Sequence, residues 1–179
     1  MYNNLHYKEN KQLVLKIPAT ILSSNELSFN EKLILGLDYT YKSKKGYTKL
    51  NNSKTGQLFN LHPNIISYCR KNLVKRGYLL KDKTKYTLTD KHKEHQAKDK
   101  REIFLPIEIY NHKQLSTGAK LLWGEYNSFS KGRSEYFAKR SYTSTRLNAS
   151  EESITNWTKQ LKEYQLLKKY EHRKGYCTS

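Results

Sequence analysis

Displaced by 88 residues, the sequence falls on itself. Ile17-Pro18 meets Leu105-Pro106, Leu27-Ser28 meets Leu115-Ser116, and Lys32-Leu33 through Gly36 meets Lys120-Leu121 through Gly124. Ser53, Thr55 and Asn60 meet Ser141, Thr143 and Asn148. Ile66, Lys71, Leu73 and Leu79 meet Ile154, Lys159, Leu161 and Leu167. One gapless register carries every match. Two copies are too few for a solenoid, so the pattern predicts a duplicated domain. Each copy has enough residues for a modest core. The predicted boundaries are 1–89 for the first unit and 102–179 for the second. The stretch "DKHKEHQAKDKR", 90–101, charged and nearly free of apolar residues, reads as the linker.

Each unit shows the same order of elements. A short extended run, "LVLKIP" or "EIFLP", closes on proline. A helix follows, "SFNEKLILGLDYTYKS" in the first unit and "STGAKLLWGEYNSF" in the second. Ser28 and Glu31 have the spacing of a capping box. Leu33, Leu37 and Tyr41 fall on one helical face, as do Leu122 and Tyr126. The loops "KSKKG" and "SKGRS" are expected to end these helices. Second helices are predicted near 53–59 and 141–147, and third helices near 63–76 and 151–164. Both units close on a hairpin pattern, "YLLKDKTKYTLT" and "LLKKYEHRKGYCT". The expected fold class is α+β, with three helices and a β-hairpin in each unit.

Two stretches, "QLFNLHPNIISYCRKNLVKRGYLL" and "TRLNASEESITNWTKQLKEYQLL", resemble the winged helix-turn-helix domains of phage and plasmid replication-initiation and regulatory proteins. In the first unit Leu58-Phe59-Asn60-Leu61, Ile66, Leu73 and Gly77-Tyr78-Leu79 fit that family's run. In the second, Leu147-Asn148-Ala149-Ser150, Ile154, Trp157 and Leu161 fit it. "YFAKRSYTS", 136–144, resembles the strand and helix that precede the turn. The resemblance implies two tandem winged helices, each with its hairpin as the wing. It also implies wings that reach the minor groove or flanking phosphates of DNA. Arg70 departs from the family, which places an aliphatic residue there.

Asn60 and Asn148 sit where the turn between helices needs a left-handed residue, and asparagine is the next cheapest choice after glycine. Ser150 suits the N-cap of the following helix, and Pro63 the first helical position. Apolar spacing of three and four puts Ile66, Cys69 and Leu73 on the buried face of one third helix. It puts Ile154, Trp157 and Leu161 on the buried face of the other. The outward faces then carry Asn64, Ser67, Tyr68 and Lys71 in the first unit. In the second they carry Ser153, Thr155, Asn156, Lys159 and Gln160. Amide side chains pair with adenine in the major groove, and lysine meets guanine or phosphate. Solvated surface positions are the plainer reading of the same residues. Arg70 is expected to snorkel past the core edge to phosphate.

The chain holds 34 Lys and Arg against 16 Asp and Glu, a net charge of +18 in 179 residues. Both halves are basic, +10 over 1–90 and +8 over 91–179. That balance predicts a polyanionic partner, double-stranded DNA above all. Lys81, Lys83 and Lys85 stud the first hairpin, and Arg173 and Lys174 the second. Lys54, Lys139 and Arg140 lie at or before second-helix N-termini, where phosphate is readily seated. Lys42, Lys44 and Lys45 belong to a loop of unassigned position. Against this background Glu151 and Glu152 open the third helix of the second unit. Three readings stand: complementing the helix dipole, accepting from cytosine N4, or facing a protein instead of DNA.

No catalytic motif, cofactor loop or metal-ligand set emerges. His92 and His95 lack further ligands at metal spacing, and Cys69 falls on the core face. A non-enzymatic, sequence-specific duplex DNA-binding protein of a phage or plasmid is therefore expected. It would act in transcription control or origin recognition, as a monomer or weak dimer, with replication or transcription proteins as further partners. A protein-interaction module or phage-encoded inhibitor is the second reading. No apolar run approaches the ~20 residues of a membrane span, the N-terminus lacks a signal-peptide core, and Cys69 and Cys177 suggest no disulfide framework. The expected compartment is the cytoplasm of a bacterium or phage host.

Overall fold

The computed structural model describes residues 13–130, 136, 138–167, 171–173 and 176–178, the last two stretches by backbone. The class is α+β. In chain order the elements are β1 (Leu15–Ile17), α1 (Ala19–Leu22), α2 (Phe29–Lys45), α3 (Asn52–Phe59), α4 (Pro63–Lys75), β2 (Leu79–Asp82) and β3 (Lys85–Leu88). A 3-10 helix (Asp90–Glu94) leads to β4 (Ile103–Leu105), α5 (Ile107–Tyr110), α6 (Thr117–Phe129), β5 (Ala138–Lys139), α7 (Arg140–Leu147), α8 (Glu151–Glu163), β6 (Glu171–Arg173) and β7 (Tyr176–Thr178). Strands β2 and β3 form an antiparallel hairpin, and β5, β7 and β6 form a three-stranded antiparallel sheet.

The two halves meet through β1 and β4, which pair antiparallel as Leu15 with Leu105, Lys16 with Phe104 and Ile17 with Ile103. Under the 88-residue shift Lys16 and Phe104 are each other's counterparts and the pair Leu15–Leu105 becomes the pair Ile103–Ile17, so exchanging the halves maps the register onto itself. A local twofold axis thus runs through the Lys16–Phe104 pair. The strands alternate in burial: Leu15, Ile17, Ile103 and Leu105 are sealed from solvent, as a half-buried strand requires. On each side a helix hydroxyl takes the free strand N–H. Thr40 Oγ1 accepts from Lys16 N at 2.9 Å and Ser128 Oγ from Phe104 N at 3.2 Å.

Helices α2 and α6 form the centre and touch across the axis. Ser28 and Glu31 make the full capping box at the start of α2. Gly36 and Gly124, again 88 apart, let the helices settle on the strands: a Cβ at either would stand 2.6 Å from Ile17 Cγ1 or 2.7 Å from Leu105 Cδ2. Lys42, Lys44 and Lys45, expected in a loop, form the last turn of α2, which stops at Gly46 with φ 80°. Cations there complement the helix dipole.

Two buried lysines carry the symmetry through the interior. Lys32 Nζ donates to the Leu147 carbonyl at 2.7 Å. Its counterpart Lys120 donates to the Phe59 carbonyl at 2.8 Å and to Tyr110 at 2.9 Å. Each ammonium therefore satisfies the C-terminal carbonyl of a short helix in the opposite half, one of the orphan acceptors every helix end leaves. Burial pushes both amines down to about 8.

Polar pairs in one half replace apolar or hydroxyl pairs in the other. Leu37 and Leu58 are core residues, whereas their counterparts Glu125 and Arg146 form a buried ion pair at 3.0 Å. Conversely, Asp38 and Arg70 answer to Tyr126 and Thr158, whose hydroxyls lie 2.9 Å apart. Three elements go beyond the three helices expected per unit: α1, α5 and the 3-10 helix. The stretch 90–101 is fastened to both halves. His92 Nδ1 lies 2.8 Å from Thr20 Oγ1, His95 Nε2 lies 2.9 Å from Ser23 Oγ, and Arg146 donates to the carbonyls of Asp99 and Arg101.

Candidate nucleic-acid interface

In each half a short helix, a left-handed asparagine and a longer helix follow one another. Asn60 has φ 52° and ψ 44°, and Asn148 has φ 49° and ψ 59°. This conformation disfavours most side chains and tolerates asparagine. The first turn is further sealed from across the axis, where Asn111 Nδ2 donates to the carbonyls of Gln57 (3.0 Å) and Leu58 (2.8 Å). Asn60 returns a bond from its own amide to the Asn111 carbonyl.

Helix α4 starts with Pro63 at its first position, and the His62 ring accepts from Asn64 N. Ile66, Cys69 and Leu73 face the core, and burial pushes the Cys69 thiol up to about 11. The outward face presents Asn64, Ile65, Tyr68, Lys71 and Lys75, with Ser67 half-buried. Tyr68 is 68% exposed and Ile65 38%. The segment 63–75 contains no Asp or Glu. Lys54, exposed in the first turn of α3, has its backbone N–H capped by Asn51. Lys81 and Lys83 are exposed on the hairpin, Lys83 holding the turn with φ 52°. Lys85 is half-buried, its Nζ 4.5 Å from the centre of the Tyr47 ring. A cavity of about 270 Å³ opens between α4 and the hairpin, lined by Ser67, Arg70, Lys71, Lys75, Lys81 and Tyr86 among others.

Arg70 corrects the expectation of a phosphate contact. It is 1% exposed and turned inward. Nη1 donates to the Leu50 carbonyl (2.9 Å) and Asn52 Oδ1 (3.0 Å), and Nη2 donates to Thr55 Oγ1 (3.1 Å). Its Cζ lies 4.3 Å from the centre of the Tyr86 ring. Asp38, fully buried within electrostatic reach, is pushed up to about 6 by burial against the pull of Arg70. These partners compensate the charge internally, so the guanidinium ties α4 to α3 and the hairpin and has no need to reach solvent.

Helix α8 is built alike and decorated differently. Ser150 Oγ caps Ser153 N at 3.0 Å. Glu151, Glu152, Asn156 and Lys159 are exposed, while Ser153 and Thr155 are half-buried. Thr155 Oγ1 accepts from Arg140 Nη1 at 2.6 Å and donates to the Glu151 carbonyl, so these two expected contacts are partners of one another. Lys139 is exposed at the N-cap of α7. Arg173 belongs to β6 by its backbone; its side chain and all of Lys174 lie outside the described residues. Trp157, expected on the buried face, is half-buried and meets Phe29 of the opposite half edge to face at 4.9 Å. Thr158 takes the core position instead.

Among the described residues, no group of three or more His, Cys, Asp or Glu could hold a metal ion, and no helix is long and apolar enough to cross a membrane. Ile65, absent from the residues expected on the outer face, is a surface residue. Its spacing of three from Tyr68 was the available signal. Compared with protein-family models and with curated proteins, the chain has no match.

Proposed function

We propose that this protein binds double-stranded DNA sequence-specifically through two tandem winged helices, with α4 and α8 as recognition helices and the hairpins as wings. The observation that carries the reading is the outer face of α4. An amide, a tyrosine and two lysines project from the second helix of a helix-turn-helix, without a carboxylate on that helix and beside a lysine-bearing hairpin. A major groove admits such a helix. Two readers in one chain would address grooves about one turn, roughly 34–36 Å, apart. The role that fits is transcription control or origin recognition for a phage or plasmid in a bacterial cytoplasm. Selection of bound fragments from random duplex DNA, followed by affinity measurement across salt, tests this. Six to ten phosphate contacts give a log–log slope of about −5 to −9. A slope near zero, or no enriched sequence, refutes it.

One observation favours a second reading for the second half, as a protein-docking helix. Glu151, Glu152 and Glu163 outnumber Lys159 and Lys162 on α8, whereas α4 exposes Lys71 and Lys75 alone. Glu151→Gln with Glu152→Gln separates the cases. General tightening on DNA means the carboxylates repel phosphate, and relaxed preference at one base pair means cytosine readout. DNA binding unchanged on every sequence means that α8 turns elsewhere.

A further inference from the structure

The two candidate reading helices differ most where they are most exposed. Ile65 and Tyr68 of α4 answer to Ser153 and Asn156 of α8, and Asn64 answers to Glu152. Ile65 and Tyr68 stand three residues apart, hence side by side on the helix surface. Folding does not require them there, because Ile66, Cys69 and Leu73 already fill the core face. They form an apolar step on an otherwise cationic helix, next to Asn64 and Lys71, with Lys75 a further turn along. A partner that covers this step must be polyanionic and yet present an apolar group. The major-groove edge of duplex DNA has one such group, the thymine 5-methyl.

Resting on the duplex reading above, we infer that Ile65 and Tyr68 contact thymine methyl groups, so that α4 senses the thymine methyls of its half-site and α8 senses none in its own. Ser153 and Asn156, which stand in their places on α8, offer a methyl no apolar surface. Its Asn156 suits adenine, and its Glu152 suits cytosine. The bound site is then directional, and one helix sets its A·T-rich end. Lys71 and Lys159, identical in the two halves, supply the contact both share.

The test uses the full chain and a duplex it has selected, remade with deoxyuridine in place of thymidine in one half-site, the other, or neither. Uracil keeps every hydrogen-bonding group and lacks only the methyl. Loss of one buried methyl corresponds to about a fourfold weaker affinity. Substitution in one half-site should weaken binding by about that factor per thymine, and in the other by less than twofold. The variant with Ile65→Ser and Tyr68→Asn, which gives α4 the residues of α8, should bind thymidine and deoxyuridine duplexes equally. Tyr68→Ser alone should lose part of the difference. Tight binding indifferent to uracil in both halves overturns the inference while leaving the duplex reading intact. A uracil penalty that persists in the variant, or a selected site without thymine, overturns it equally. Absence of any duplex binding overturns both.

Discussion

The buried pair Glu125–Arg146 gives the most direct test of how the second half is held together. Arg146 Nε lies 3.1 and 3.2 Å from the two carboxylate oxygens, and Nη2 lies 3.0 Å from Oε2. The side chains are 3% and 0% exposed. In the first half the same two sites hold Leu37 and Leu58. Glu125→Leu would leave a guanidinium in the interior with the Asp99 and Arg101 carbonyls, an Asp99 carboxylate oxygen 4.0 Å away and the Phe129 ring for company, and no carboxylate in direct contact. Breaking one partner of such a pair costs about 3–5 kcal/mol. At roughly 2–4 °C per kcal/mol for a chain of this size, Tm should fall by about 10 °C. The double variant, Glu125→Leu with Arg146→Leu, imports the other half's pair and removes both charges. It still forfeits the two carbonyl bonds, so it should recover part of the loss and not exceed wild type. Urea denaturation of wild type, both single variants and the double variant gives the coupling energy. Strictly additive single effects would refute an interior ion pair at these sites.

Gly118→Ala sets two effects against each other. Alanine gains about 1 kcal/mol of helix propensity, but a Cβ there would overlap the Trp157 ring, and overpacking costs about 1–3 kcal/mol. Destabilisation with a shift in tryptophan fluorescence is expected, and a more stable protein would show that Trp157 does not lie against α6. Lys32 and Lys120 predict a pH dependence. Their folded values near 8 lie below the ordinary 10.5, so between those values the unfolded chain holds more protons and stability rises with pH. From about pH 9 the Cys69 thiol, pushed up to about 11 by burial, opposes this rise, and above about pH 10 the buried Tyr110, whose phenol is pushed up by burial, reverses the trend as unfolded tyrosines ionise. Urea midpoints at constant ionic strength should climb from pH 8 to 9, and a flat or falling profile there contradicts the buried ammonium groups.

The repeat made much of this architecture legible before any coordinates. The recurrence of lysine at 32 and 120 is visible in the repeat register, but the burial of both and their bonds to carbonyls in the opposite half are not. Asn60 and Asn148 declared their left-handed turns because few other residues tolerate that conformation. Local periodicity failed where the deciding partner lay far along the chain. Arg70 looks like a surface cation until the Leu50 carbonyl, Asn52 and Thr55 close around it, and nothing in residues 66–74 announces them. Trp157 falls on the core face by its spacing of three from Ile154 and four from Leu161. Packing across the axis to Phe29 draws it sideways and leaves the interior to Thr158. The four-residue helices α1 and α5 are too short for any period to register.

The axis through Lys16 and Phe104 has a kinetic corollary. Two separate subunits would have to find each other first, and the paired outer helix faces would then appear in proportion to the square of their abundance when dilute. Here β1 and β4 belong to one polypeptide, so both surfaces exist at any dilution. On the proposed duplex reading, occupancy of a target that needs them together would rise along a simple hyperbola, with no assembly threshold. Each surface is also free to change without imposing the same change on its twin.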